Sequence, residues 1–166
     1  TLEEDRERRD FTINALSISL DEKAFGEVID PFGGIQHITE KLLVTPLEPA
    51  ITYSDDPLRM MRAIRFASQL GFRIEDRSFE AIKSQKDRIK IVSQERITDE
   101  LNKIILSDKP SVGFKLLNTT GILELIFPKF TQLQGVEVRK GIGHKDNFYH
   151  TLKVLDNVAD RSNDLC

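Results

Sequence analysis

Two short stretches of the chain concentrate charged side chains at spacings that suit recognition chemistry. One is "RRDFTINAL", residues 8–16, and the other is "SDDPLRMMRAIRFASQLG", residues 54–71. In the second, Asp55, Arg59 and Arg62 recur at i, i+4 and i+7, one face of a helix turning about 100° per residue. Asp56 lies about 60° from Arg59 on the same wheel, so both can aim at one small object. A carboxylate beside a guanidinium sets an acceptor next to a fork of donors. That pattern complements the polar edge of a nucleobase, and side chains so placed can act as a template strand does. The plain alternative is a solvated face with i,i+4 ion pairs, each worth about 0.3–0.5 kcal/mol. Met60, Met61, Ile64 and Ala67 take the opposite face and read as core.

In the first stretch Arg8, Arg9 and Asp10 precede the apolar residues Phe11, Ile13, Ala15, Leu16 and Ile18. This predicts a short helix with Asp10 as its N-cap. Helix N-termini favour anions, a nucleotide phosphate among them.

The elements that must hold these groups follow from periodicity and turn chemistry. Residues 25–29 read as a strand, followed by turn residues Asp30-Pro31 and Gly33-Gly34. The strand needs a partner outside the chain or a minor one such as residues 41–45. "IQHITEKLL" predicts a helix, and "VTPLEPAITY", with two prolines, a loop or extended segment. From Ser54, as N-cap, a helix is expected to run to a stop at Gly71, with proline in its first turn. "EDRSFEAIKSQKDR" predicts a second helix. "SQERITDELNKIIL" predicts a third, with Ile97, Leu101, Ile104 and Ile105 as its apolar stripe. "KPSVGFKLLNTTGILELIFP" predicts two short helices turning at Thr120-Gly121. "TQLQGVEVRKGIGHKDN" reads as a linker. "FYHTLKVLDNVAD" restarts a helix with Phe148, Leu152, Leu155 and Ala159 on one side. The expected class is α+β, predominantly α, in three pieces: residues 1–49, 50–130 and 131–166.

Composition fits a globular protein with a core: 39% hydrophobic and 31% charged residues over 166 positions. A formal charge of −3 argues against a polybasic RNA binder and leaves room for a local basic face. The one cysteine is Cys166, so no internal disulfide can form, which suits the reducing cytoplasm. No apolar run reaches membrane-spanning length and no signal-peptide pattern opens the chain. The opening "TLEEDRER" lacks Met and is charged throughout, which favours a segment of a longer protein.

Four stretches in order, "RRDFTINAL", "GEVIDPFGGIQHI", "DDPLRMMRAIRFASQLGF" and "ERITDELNKIIL", resemble the class II tRNA nucleotidyltransferases (CCA-adding enzymes) and the related bacterial poly(A) polymerases. The resemblance implies the rear of a nucleotidyltransferase head, residues 1–49, and an all-helical neck, residues 50–130, that binds the nucleotide base and RNA. It implies that Asp10 meets the ribose hydroxyls and that Arg8 and Arg9 support the triphosphate. Asp56 and Arg59 would pair with the Watson–Crick edge of CTP or ATP, with Arg62 on the same face. Asp55 stands where the family has Glu, one methylene longer, and would brace the site. Asp30, Gly33 and Gly34 match a middle motif that is flexible in the family; an ordinary turn is the alternative. Glu95 and Arg96 match its last motif, with Arg96 and Glu100 as i,i+4 partners bracing the neck.

In this family two magnesium ions are held by an Asp-x-Asp that follows a Gly-Gly-x-x-Arg-Asp motif. The sequence contains neither. The resemblance therefore implies that the catalytic carboxylates precede Thr1, that Mg2+ belongs to the full-length enzyme, and that this chain alone holds no cofactor and is inactive. "GHKDNFYHTLKVLDNVA" resembles the opening of an HD-type phosphohydrolase domain, with His150 at the first ligand position. The chain offers only two further histidines, His37 and His144, so a metal there is not expected. The implied partners are tRNA, CTP and ATP, with no membrane; oligomeric state is not legible. Poly(A) polymerase or partial CC- or A-adding specificity would use the same base-reading residues. A non-catalytic helical RNA-binding module is the alternative of another class.

Overall fold

The computed structural model describes residues 2–135, 138–139, 142–143 and 146–161. Among the described residues the fold is predominantly helical, with three short two-stranded ladders. Helix α1 (Leu2–Glu7) leads into the Arg8–Asp10 segment. The expected helix after Asp10 does not form. A single 3-10 turn, Thr12–Asn14, takes its place and is followed by strand β1 (Ser17–Ile18). Tertiary bonds decide this. The Thr12 amide donates to the Val44 carbonyl at 2.8 Å, and the Thr12 hydroxyl lies 2.8 Å from His37 Nδ1. Committed to Val44, the Thr12 amide is not available for the Asp10 carboxylate to cap, as the second amide of the expected helix would be.

β1 pairs antiparallel with β2 (Val28–Ile29), Ser17 opposite Ile29. A partner of the expected strand is thus inside the chain, and it is residues 17–18 rather than 41–45. Helix α2 (Gly34–Thr39) follows, its first turn held by Asp30, which accepts from the Gly34 amide at 2.7 Å and the Ile35 amide at 2.9 Å. Slight desolvation raises the Asp30 pKa, but the amides of Ile35, Gly34, Phe32 and Gly33 outweigh it and hold the carboxyl below its ordinary value. The two glycines serve different ends. Gly33 sits at φ 72°, a left-handed conformation that glycine adopts without strain. A Cβ on Gly34 would lie 2.5 Å from the Thr12 carbonyl oxygen, so only glycine lets α2 approach the 3-10 turn.

β3 (Leu42–Leu43) pairs in parallel with β4 (Arg73–Ile74), tying the first third of the chain to the helical part. Between them the expected single helix over residues 54–70 is two helices. The segment read as loop or extended forms α3 (Pro49–Asp55), and α4 spans Leu58–Leu70. Asp56, at φ −140° and ψ 102°, separates them, because a residue before proline is pushed out of the α region. Ser54 therefore lies within α3 and is not an N-cap. Gly71, at φ 66°, ends α4 as expected.

Helix α5 (Asp76–Gln85), a 3-10 segment (Lys86–Ile91), α6 (Gln94–Ile105, capped by Ser93), α7 (Pro110–Thr120), α8 (Ile122–Ile126) and α9 (Pro128–Thr131) complete the helical part. α4 is its axis. Met60, Met61, Ala63, Ile64 and Ala67 are buried on α4, which packs against α6 and α7, each large side chain contributing about 1.5–3 kcal/mol. Of the stripe expected on α6, Ile97 and Ile104 are buried, and Leu101 and Ile105 pack on the core's margin. α7 comes close because position 113 is glycine: a Cβ there would meet Ile104 Cγ2 at 2.3 Å. Tyr53 of α3 is fully buried with its hydroxyl against Ser78; burial pushes its pKa well above the usual phenol range.

In the stretch read as a linker, β5 (Val138–Arg139) pairs antiparallel with β6 (Ile142–Gly143). Helix α10 (Asn147–Ala159), capped by Asp146, docks on α7 through buried Phe148 and Leu152. Asp156 accepts from the Ser111 amide at 2.9 Å and so caps α7. No described helix is long and apolar enough to cross a membrane.

Candidate functional site

A cleft of about 580 Å³ opens where the Arg8–Asp10 segment faces the start of α4. Arg8, Arg9, Asp10 and Asn14 form one side. Asp56, Leu58, Arg59, Arg62 and Phe66 form the other, and Arg96 of α6 closes it. Six of the seven residues singled out by sequence converge here: Arg8, Arg9, Asp10, Asp56, Arg59 and Arg62. Asp55 does not join them. It ends α3, exposed to solvent, because the break before Pro57 takes it off the face it would share with Arg59 on a continuous helix.

Asp10 is nearly buried and every bond it makes is internal. Oδ1 accepts from the Phe11 amide at 3.1 Å and Asn14 Nδ2 at 2.9 Å; Oδ2 accepts from Arg62 Nε at 2.6 Å. Arg59 spans two segments. Nη2 donates to the Arg8 carbonyl at 2.6 Å and Nη1 to the Thr52 carbonyl at 3.2 Å. Asp56 stands just before α4, with Pro57 between, and binds its first amide. Its Oδ1 accepts from the Leu58 amide at 3.1 Å and its Oδ2 from Arg96 Nη2 at 2.8 Å. Arg9 is paired with Asp5 at 2.7 Å. Phe66 offers a ring edge-on to Phe11 at 5.7 Å between centroids, with the Arg65 guanidinium 4.0 Å from its centre.

The expected Arg96–Glu100 pair is replaced. Glu100, buried, bonds to Arg65 at 2.6 Å and to Lys103 at 3.0 Å, while Arg96 turns to Asp56. Glu95 is exposed in the first turn of α6. Asp30, Gly33 and Gly34 lie outside the cleft at the start of α2. Asn14, Leu58 and Phe66 went unnoticed by sequence reasoning; Asn14 had a signal, standing four residues after Asp10.

Five arginines face two aspartates in the lining, which suits a polyanion. The same balance does not suit magnesium. Each carboxylate is committed to an arginine, and no carboxylate pair remains for a hard cation. Among the described residues no three His, Cys, Asp or Glu side chains are grouped to hold a metal. His150 is exposed on α10 beside a shallow groove with Tyr149 and Lys153. His144 lies outside the described residues.

Comparison with known proteins decides the family. The poly A polymerase head domain matches residues 1–44, and the probable RNA and SrmB-binding site of polymerase A matches residues 71–133. The chain belongs to the tRNA nucleotidyltransferase and poly(A) polymerase family. A CCA-adding enzyme of a Geobacillus species is 34% identical over 96% of this chain and 41% of its own length. A CC-adding tRNA nucleotidyltransferase of Halalkalibacterium halodurans is 35% identical over 96% of the chain and 43% of the relative. Among solved structures, the Bacillus stearothermophilus CCA-adding enzyme in complex with CTP is 39% identical, with a TM-score of 0.68 over 74% of this chain and 30% of that one. The Thermotoga maritima CCA-adding enzyme complexed with tRNA is 28% identical, with a TM-score of 0.73 over 93% and 41%. The chain thus spans roughly 30–43% of the relatives quoted. As a member of this nucleotidyltransferase family it shares the helical architecture of those enzymes, a head followed by a helical neck.

Proposed function

We propose that this chain supplies ribose and base recognition to a tRNA nucleotidyltransferase that adds CCA to tRNA 3′ ends from CTP and ATP. The observation that carries the reading is the convergence of Arg8, Arg9 and Asp10 with Asp56, Arg59 and Arg62 in one arginine-rich cleft. In this reading Asp10, its orientation set by Arg62 and Asn14, accepts from the ribose hydroxyls. Arg8 and Arg9 attract the triphosphate. Asp56 and Arg59 meet the base edge, the acceptor beside the fork of donors; two of the five Arg59 N–H groups are already used. Phe66 and Leu58 give the cleft its apolar wall.

In the same reading residues 1–49 complete the head, residues 50–130 form the neck, and residues 131–166 begin an HD-like unit. The carboxylates that hold magnesium belong to the part of such an enzyme that this chain does not span, and the chain alone is inactive. The enzyme works in the cytoplasm on tRNA. A CC-adding specificity is the second reading, favoured by the Halalkalibacterium halodurans relative at comparable identity.

The test is Arg59→Ala in the complete enzyme carrying this segment, with a tRNA lacking its 3′ end and CTP and ATP offered separately and together. Loss of one bidentate base contact is worth about 1–3 kcal/mol, so incorporation should fall about fivefold or more. Wild-type incorporation of both nucleotides would overturn the base-reading role. Addition of C without A would favour the CC-adding reading.

A further inference from the structure

We infer that Arg96 is a positioning residue for base selection, acting through Asp56. The inference rests on the base-reading role proposed for Asp56 and goes one step beyond it. A carboxylate that discriminates bases must present its acceptors in a fixed direction, since a freely rotating one accepts from any donor. Asp56 is fixed at both oxygens: Oδ1 by the Leu58 amide at 3.1 Å, Oδ2 by Arg96 Nη2 at 2.8 Å. The first bond is local to α4. The second comes from forty residues away and must be delivered by α6.

α6 is built to deliver it. Ser93 caps its first turn by accepting from the Arg96 amide, and Ile97 and Ile104 seat it on the core. One turn beyond Arg96, Glu100 is clamped to Arg65 of α4, with side chains only 3% and 12% exposed. That buried pair fixes the register of α6 on α4, and the register brings Arg96 opposite Asp56. The Arg96–Asp56 pair itself is open to solvent, with side chains 53% and 32% exposed. Such a pair contributes about 0–1 kcal/mol to stability, too little to make bracing its main effect. What it does is hold a carboxylate still inside the cleft.

The experiment compares Arg96→Gln, Arg96→Lys and Asp56→Asn in the complete enzyme. For each, kcat/KM is measured for CTP and ATP and for the wrong nucleotides UTP and GTP, together with the thermal midpoint. Arg96→Gln is expected to lower the correct-to-wrong ratio about tenfold, mostly through KM, with little change in midpoint. Arg96→Lys keeps the charge without the planar fork and should fall between wild type and Arg96→Gln. A purely structural role would lower the midpoint and kcat for all nucleotides alike and leave the ratio unchanged. An unchanged ratio in whichever Arg96 variant folds overturns the inference. An unchanged ratio in Asp56→Asn would instead remove the base-reading role on which it stands.

Discussion

Arg62 Nε meets the Asp10 carboxylate at 2.6 Å, joining α4 to a segment fifty-two residues earlier in the chain. Asp10 is almost fully buried, while about a third of Arg62 remains exposed. Removing the arginine would leave a buried carboxylate with two neutral donors and no counter-charge. Arg62→Ala should therefore cost about 1–3 kcal/mol, below the 3–5 kcal/mol of a fully buried pair because water can reach the site. Urea unfolding measures it. Adding Asp10→Asn to Arg62→Ala should recover part of the loss, since the stranded charge is then gone. A midpoint for Arg62→Ala equal to wild type would contradict this account.

The Gly33-Gly34 pair separates two kinds of glycine requirement. Gly33→Ala places a side chain at φ 72°, a strain of about 1–2 kcal/mol. Gly34→Ala drives a Cβ to 2.5 Å from the Thr12 carbonyl oxygen, and backbone cannot step aside as a flexible side chain can. We expect Gly34→Ala to be the worse of the two, by thermal midpoint, at about 1–3 kcal/mol. The opposite order would mean that α2 is free to shift off the 3-10 turn.

Asp30 makes the stability pH-dependent. Backbone amides hold its folded-state pKa below the ordinary value, so the folded state favours the ionised form. That contribution is fully present above the unfolded carboxylate pKa of about 4 and is lost as pH falls through the folded value. Asp30→Ala should cost about 1 kcal/mol at neutral pH, as loss of a helix cap does. The gap between wild type and variant should narrow below about pH 4. Urea midpoints of both proteins across that range check it, and a gap that widens toward acid would refute the assignment.

The sequence made the cleft more legible than the backbone that builds it. Charge and spacing pointed to Asp56, Arg59 and Arg62, and the family resemblance added Arg8, Arg9 and Asp10, because recognition chemistry demands particular side chains whatever the local fold. The element boundaries failed where distant partners outbid local propensity. Residues 11–18 carry a helix-like apolar pattern, yet the Thr12 amide goes to Val44 and Ser17–Ile18 pair with Val28–Ile29. No feature of the segment itself announces either partner. The break at Asp56 was readable, since Pro57 restricts the residue before it, but the apolar pattern on both sides read as one helix. Arg96 and Glu100 do share a face, as their spacing requires; what spacing could not show is that each has a partner elsewhere, Glu100 on α4 and Arg96 at Asp56 just before it.

Arg59 holds two segments together through the carbonyls of Arg8 and Thr52. Both acceptors are main-chain atoms, which every amino acid carries. Drift at positions 8 and 52 can therefore proceed without dissolving the link, whereas position 59 must keep a side chain long and forked enough to reach both. The burden of heredity at this junction falls on one codon.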